Sequence, residues 1–238
     1  MNQKNALIVS AHSADFVWRA GGTVALYAQR GWNVHILCLS FGERGESARL
    51  WKRENISLET VKQIRREESE QAAAILGASV SFLDCGDYPL RVDDETLFKI
   101  VQVYRDLKPE FVLTHSFKDP YNFDHPLANH LAMEARIIAQ AHGHSPHEPV
   151  IGAPPVFLFE PHQPEQCEWK PETFLDISSV WEQKYQAFQI MGAQEHLWEY
   201  YTRVGLQRGA QASRNSDKKI KYAEAFQCVY PRVTDDLL

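Results

Sequence analysis

The chain has 238 residues, of which 44% are hydrophobic and 24% are charged, as in an ordinary globular protein. This length suits one α/β domain with a sizeable core and is short for two. Its 25 basic and 31 acidic residues give a net charge of −6, which argues against a nucleic-acid partner.

Cysteine usage and hydropathy predict a cytoplasmic protein with no membrane association. The four cysteines are widely separated and form no C-x-x-C pair, which favours reduced thiols. The first residues run straight into an apolar strand, so no signal peptide is expected. No apolar run approaches the roughly 20 residues that a membrane span needs.

Strand-like apolar runs alternate with helical patterns along the chain. Strands are predicted at 7–10, 34–40, 80–83, 111–114, 156–159 and 222–229, and helices at 58–77, 93–107, 125–141, 178–192 and 194–210. A further helix is expected to open at Gly21-Gly22. The repeated units predict a Rossmann-like α/β fold, with a mostly parallel sheet and helices on both faces. Residues 1–238 are predicted to form a single domain, whose elements from about 176 to 238 pack on the sheet.

The first strand ends in small residues, and His12 and Asp15 lie in the turn that follows it. In an open α/β sheet such a turn lies at the carboxyl edge, where ligands bind. The two residue types indicate a metal site. An aspartate that caps a helix beside a loop histidine would give the same pattern.

The loop after the fourth predicted strand completes a possible metal-binding set. It ends in Asp124 and His125, at the start of a helix. His12, Asp15 and His125 would supply two imidazoles and one carboxylate with an open position for water, as catalytic zinc requires. Asp124 either orients a neighbouring imidazole or caps the helix.

Several motifs, in the same order, resemble those of the PIG-L/LmbE-like family of zinc-dependent N-deacetylases. They are Ala11-His12-Ser13-Ala14-Asp15-Phe16, Gly21-Gly22, Gly42-Glu43-Arg44-Gly45, Asn122-Phe123-Asp124-His125 and Ala223-Glu224-Ala225-Phe226. The resemblance extends over almost the whole chain. It implies that His12, Asp15 and His125 bind Zn²⁺, and that the protein forms a homo-oligomer, either a trimer or a hexamer.

Three positions depart from the pattern of the deacetylases. The resemblance places the general base at Ala14, whose methyl group cannot take a proton. A histidine that helps to stabilise the oxyanion is replaced by Asn122, which can donate a hydrogen bond but carries no charge. The acidic residue after the metal aspartate is Phe16. Ordinary amide hydrolysis is therefore not expected.

The stretches 10–22, 39–47 and 194–201 resemble a hydratase subgroup of the same family. The resemblance implies a hydro-lyase that adds water to a carbon–carbon double bond of a small oxo-tricarboxylate, in bacterial gallate and protocatechuate 4,5-cleavage. Two alternatives stay open. One is a zinc-dependent N-deacetylase of an amino-sugar-type substrate, and the other is a non-catalytic binding protein that contains the metal.

Hydration needs a proton donor and acceptor, and a polyanionic substrate needs cations. Glu46 is the favoured proton-transfer residue because its loop position leaves it free to face substrate, with Glu43 second and Asp124 as a further candidate catalytic residue. Candidate substrate-binding residues are Arg44, Arg65, Asn122, His162 and His196. Arg19, Arg203 and Arg208 are weaker candidates, and Arg19 and Arg208 also suit a helix surface.

Overall fold

The computed structural model describes residues 3–144, 147, 149–231 and 233. The strands are β1 (Asn5–Ser10), β2 (Asn33–Cys38), β3 (Ser79–Phe82), β4 (Phe111–Thr114), β5 (Val156–Phe159), β6 (Thr173–Asp176) and β7 (Ala223–Cys228). The α-helices are α1 (Asp15–Gln29), α2 (Ala48–Trp51), α3 (Leu58–Leu76), α4 (Asp94–Leu107), α5 (Asp124–Ala139), α6 (Trp181–Ile190) and α7 (Leu197–Arg214).

The strands form one mostly parallel sheet in the order β3-β2-β1-β4-β5-β7-β6. The first five strands in this order are parallel, whereas β7 pairs antiparallel with both β5 and β6. The predicted α/β fold is therefore confirmed. Strand β6 and the short helix α2 were not predicted, because each has four residues and β6 is half-exposed, so neither carries a strong apolar pattern.

Helices cover both faces of the sheet, which explains the continuous apolar character of β1. On one face, Ala6 and Ile8 join a core cluster that includes Trp18 of α1. On the other face, Leu7 and Val9 join a cluster that includes Tyr104 of α4. A strand that is buried on both faces has no polar alternation, as is usual in parallel sheets.

Helix α1 begins at Asp15, so the expectation that it would open at Gly21-Gly22 is wrong. The two glycines lie in the middle of the helix because neighbouring elements approach it closely. A Cβ atom on Gly22 would lie 2.6 Å from Cδ1 of Ile177. Asp15 is consequently the first residue of a largely buried helix, which begins a short turn after the carboxyl end of β1.

We expect Gly209→Ala to lower the free energy of unfolding by about 1–3 kcal/mol, because an added methyl group overpacks a filled site. Gly209 lies in α7, where a Cβ atom would overlap the carbonyl oxygen of Lys221. Gly152→Ala is the control, since no heavy atom lies within 4 Å of a Cβ built there. Urea unfolding of both variants measures the difference. Equal stabilities would contradict the close approach of α7 to the segment before β7.

The described ranges contain no helix with the length and apolar character needed to cross a bilayer. All four cysteines are free thiols. Helices α6 and α7 and strand β7 belong to the same fold as the sheet, and β7 lies inside it. The extent of the domain over 1–238 stays a prediction, because residues 234–238 lie outside the described ranges.

Candidate active site

The loops after β1, β2 and β4 meet at the carboxyl edge of the sheet. The order of the strands changes direction at β1. The chain passes from β1 to β2 on one side of it, and β4 pairs with β1 on the other side. His12, Asp15, Glu46 and His125 converge at this point, and each offers a ligand atom within 4.8 Å of the others. We call these four residues the metal cluster. All three residues predicted to bind metal belong to it.

His12 is fully buried, and carboxylates contact both of its ring nitrogens. Its Nε2 lies 3.2 Å from Oδ2 of Asp124. Its Nδ1 lies 3.1 Å from Oδ2 of Asp15 and 3.2 Å from Oε1 of Glu46. When Nε2 carries the ring proton, it donates a hydrogen bond to Asp124. The lone pair of Nδ1 then points into the metal cluster.

Asp124 orients the His12 imidazole and does not cap α5, although it is the first residue of that helix. Its carboxylate also accepts hydrogen bonds from the amides of Tyr88 and Leu90, both at 2.9 Å. Burial acts to raise the pKa of Asp124, but the hydrogen bonds from His12 and the two amides lower it to about 2. Asp124 is therefore ionised at neutral pH.

His125 has the same arrangement with a different carboxylate. Its Nδ1 lies 2.8 Å from Oδ2 of Asp119, which fixes the proton on that nitrogen. Its Nε2 is buried, has no hydrogen-bond partner in the described structure, and lies 3.5 Å from Oδ1 of Asp15. A buried polar atom without a partner requires an explanation, and a bound cation supplies one here.

This donor set fits a divalent metal ion. Each imidazole is held by a carboxylate on one nitrogen and presents the other to the cluster, as metal-bound histidines usually are. Burial acts to raise the pKa of Asp15, but the His125 imidazole and the hydrogen bonds from His12 and His125 hold it well below its usual range. An ionised carboxylate and two oriented imidazoles are suitable ligands for zinc.

Two further buried residues, His115 and Arg19, contact members of the metal cluster. The Nε2 atom of His115 accepts a hydrogen bond from the amide of Ala11 at 2.9 Å, and its ring stacks on His125 at 4.2 Å. Burial holds the pKa of His115 well below its usual value, so this ring is neutral. Arg19 donates from Nε to Oδ1 of Asp15 at 3.3 Å.

A cavity of about 890 Å³ opens next to the metal cluster. Its lining residues include Asp15, Glu46, Tyr88 and His162, together with a wall formed by α2 and the segment before α7. The Glu46 side chain is only 12% exposed, and its second oxygen accepts from Nε2 of Gln194 at 3.4 Å. Glu46, the favoured proton-transfer residue, thus belongs to the metal cluster and also borders the cavity.

Tyr88 covers His12 at the side of the cavity, with the two ring centroids 6.0 Å apart. Asn122 donates from Nδ2 to the Tyr88 hydroxyl oxygen at 3.0 Å, which leaves the hydroxyl hydrogen available to a ligand. Burial, with the nearby charge of Glu46, raises the pKa of Tyr88 to about 12. Gly45 allows this position, because a Cβ atom there would overlap the Tyr88 ring.

The structure corrects the interpretation of Glu43 and Arg65. The Glu43 carboxylate accepts from the amide of Phe41 at 3.2 Å and supports its own loop, outside the metal cluster. Arg65 is fully buried and neutralised by Glu68, and it donates from Nη2 to Oε1 of Gln194 at 3.0 Å. Arg65 therefore positions Gln194, and no substrate carboxylate can reach it.

Of the remaining predicted substrate-binding residues, two line the cavity and one does not. Arg44 is exposed and is not part of the lining, whereas His162 and His196 both line the cavity. The Nε2 atom of His162 lies 2.9 Å from the Tyr201 hydroxyl group. Burial and the charge of Arg19 lower the pKa of His162 to about 4, so its imidazole is neutral at physiological pH.

Asp119, His115 and Tyr88 contact the candidate ligands, but the sequence patterns did not single them out. Asp119 belongs to the polar loop after β4. Its position six residues before His125 was the one indication in the sequence that the two side chains could interact. His115 follows β4 directly, at the same sheet edge as the ligands. No sequence pattern indicated Tyr88, because it follows the outer strand β3. Only the three-dimensional fold brings its ring next to His12.

The departures from the deacetylase pattern lie close to the metal cluster. Ala14 is fully buried, and its carbonyl oxygen accepts from the amide of Val17 at 3.0 Å at the start of α1. Phe16 is also fully buried and belongs to the hydrophobic core on the α1 face. The candidate metal cluster thus lies beside two fully buried apolar side chains, Ala14 and Phe16.

Comparisons with known proteins agree with this arrangement. A PIG-L profile, described as GlcNAc-PI de-N-acetylase, matches residues 7–136. A 4-oxalmesaconate hydratase from Pseudomonas putida is 65% identical over 99% of this chain and 93% of its own length. The crystal structure of GalB, the 4-carboxy-2-hydroxymuconate hydratase from Pseudomonas putida KT2440, has 64% identity and a TM-score of 0.97, covering 99% of this chain and 100% of that chain.

A more distant structure shares the fold. N,N'-diacetylchitobiose deacetylase from Pyrococcus horikoshii has 23% identity and a TM-score of 0.79, covering 96% of this chain and 84% of its own. The family profile spans more than half of the chain, and the similarity to the hydratase extends over nearly all of it. The chain therefore belongs to the PIG-L family.

Proposed function

We propose that this protein is a metal-dependent hydratase that adds water to 4-oxalomesaconate, also called 4-carboxy-2-hydroxymuconate. The product is 4-carboxy-4-hydroxy-2-oxoadipate, an intermediate of gallate and protocatechuate 4,5-cleavage. The observation that carries the proposal is the pairing of intact metal ligands with a buried Ala14 where a deacetylase needs its base. The 65% identity to a 4-oxalmesaconate hydratase supports the same substrate.

Nδ1 of His12, a carboxylate oxygen of Asp15 and Nε2 of His125 would hold the metal ion. We propose Zn²⁺, because two imidazoles and one carboxylate are a common catalytic zinc set. When bound, the ion supplies Lewis acidity that polarises the oxo or enol oxygen of the substrate. Asp124 and Asp119 keep the two imidazoles in the tautomers that the ion needs.

Glu46 is the proposed proton-transfer residue. Burial acts to raise its pKa, but the His12 imidazole lowers the pKa below its usual value, so the carboxylate is ionised and can accept a proton. Glu46 takes one proton from the attacking water, whose oxygen bonds to one alkene carbon as the carbon–carbon π bond breaks, and Glu46 then returns this proton to the neighbouring carbon. His162 and Tyr88 line the same cavity and orient the substrate through hydrogen bonds.

Absorbance spectroscopy tests the proposal directly. Metal-loaded protein mixed with 4-carboxy-2-hydroxymuconate should remove the ultraviolet band of the conjugated system, and the product should be heavier by one water. N-acetylated amino sugars are the comparison substrates. Release of acetate from these, with the band unchanged, would replace the hydratase by a deacetylase. A fully metal-loaded protein that turns over neither substrate would favour the binding-protein alternative.

We expect Asp119→Asn to weaken metal affinity by about 10–100-fold, because an amide holds the His125 tautomer and its basicity less well than a carboxylate. Asp119 contacts His125 and not the metal position itself. Competition with a chromogenic chelator measures the affinity. Asp106→Asn, at an exposed hydrogen bond with Gln102, is the control. Equal affinities of the two variants would show that Asp119 does not support the site.

The remaining aspects of the protein's cellular context are also proposals. We propose a small-molecule oxo-tricarboxylate as the only partner in turnover, with no nucleic acid or membrane, and a cytoplasmic location. We further propose a homo-oligomer, either a trimer or a hexamer. Large exposed side chains near the site support self-association, since Phe117, Tyr121 and Phe123 are 57%, 59% and 83% exposed.

A further inference from the structure

We propose that Lys52, assisted by Arg49, forms the subsite that binds a substrate carboxylate remote from the metal cluster. This inference rests on the proposed function, because it assigns cations to the distal part of an oxo-tricarboxylate. Arg49 belongs to α2, and Lys52 directly follows that helix. Both residues line the 890 Å³ cavity, and they are the only lysine or arginine residues among its lining, all of which is described.

Charge is distributed unevenly along the cavity. The inner end carries Asp15 and Glu46, whose side chains are 3% and 12% exposed. Arg49 lies at the mouth, where its side chain is 60% exposed, and Lys52 is also exposed. A polyanion that places its oxo end against a bound cation at the inner end extends its other carboxylates towards the mouth. Lys52 and Arg49 provide the opposite charge there.

The two cations differ in their availability. Arg49 donates from Nη1 to the carbonyl oxygen of Gly192 and forms an ion pair with the Glu195 carboxylate. Much of its charge is therefore neutralised. These contacts leave its Nε and Nη2 groups without a partner in the described residues. Lys52 forms no ion pair with any residue that the structure describes. Lys52 therefore carries the main role, and Arg49 offers its remaining donors.

The wall that carries these cations is fixed in place. Trp51 donates from Nε1 to the carbonyl oxygen of Glu43 at 2.6 Å, and Ser47 donates to that of Gly42 at 2.7 Å. Leu50 is buried in a small core cluster with Val61 and Ala193. A fixed wall holds the positive charges at a set distance from the metal cluster, and this favours substrates of matching length.

Steady-state kinetics of the metal-loaded holoenzyme with 4-carboxy-2-hydroxymuconate tests the subsite. Lys52→Met should raise KM about tenfold, as expected for loss of a charge-assisted contact, and leave kcat within about twofold. Lys52→Arg should restore most of the affinity. Arg53→Met is the matched control, because Arg53 is the next residue, is exposed and does not line the cavity.

Salt provides a second measurement that a merely structural role would not change. Raising ionic strength should increase KM of the wild-type enzyme more than that of Lys52→Met, because the variant lacks the screened contact. The subsite is overturned if Lys52→Met and Arg53→Met have equal KM values and equal salt dependence. Failure of the proposed function gives a different result, since the wild-type holoenzyme itself would leave the substrate unchanged.

Discussion

Glu46→Gln should lower kcat by about 10²–10⁴-fold and leave the metal in place, because the amide cannot accept the proton that water must lose. Glu46 lies 3.2 Å from Nδ1 of His12 and borders the cavity. The substitution keeps the shape of the side chain and its contact with Gln194. Stopped-flow absorbance and metal analysis of the same sample separate chemistry from metal binding.

The control for this prediction is Glu54→Gln, an exposed glutamate in the same long segment between β2 and α3. Its turnover should equal that of the wild type. Two results would contradict the role of Glu46. If Glu46→Gln retains full turnover, another group transfers the proton. If it loses the metal, Glu46 is a ligand, as its membership of the metal cluster permits.

The second large effect is structural: Glu224→Ala should lower the free energy of unfolding by about 3–5 kcal/mol, because it leaves a buried cation unpaired. The Glu224 carboxylate accepts from Nζ of Lys184 at 2.5 Å, and both side chains are almost completely buried. It also accepts from the amides of Gly22 and Thr23, each at 2.7 Å, in the middle of α1. Thermal or urea unfolding measures the loss.

A double substitution isolates the ionic part of this effect. Lys184→Met with Glu224→Met removes both charges together, and it should be more stable than Glu224→Ala alone. Glu199→Ala is the surface control, since its ion pair with Arg203 is long, at 3.8 Å, and both side chains are exposed. A Glu224→Ala variant as stable as this control would show that the buried pair contributes nothing.

The main sheet and the convergence of the candidate metal ligands could be predicted because local patterns encode them. Apolar runs without alternation mark strands that are buried on both faces, as β1 shows. His12 and His125 each follow a parallel strand, and the carboxyl ends of such strands meet at one edge. Two short sequence patterns and one topological rule therefore predict that these side chains approach one another, and the family resemblance assigns them to a metal ion.

The proposed substrate-binding cations could not be predicted in the same way. Arg44 and Arg65 have the right chemistry, but one lies outside the cavity and the other is neutralised by Glu68. Lys52 and Arg49 line the cavity because α2 packs against the segment before α7, about 140 residues further along the chain. Side-chain partners across such separations depend on packing, which a residue pattern does not specify.

Metal titration of the metal-free protein tests the central claim most directly. Zn²⁺ is added stepwise, and hydration of 4-carboxy-2-hydroxymuconate is followed with bound metal measured in each sample. Activity should rise linearly and stop rising when a single ion is bound per chain, and His125→Ala should abolish both binding and activity. Full turnover by the metal-free protein, or by His125→Ala, would contradict the account.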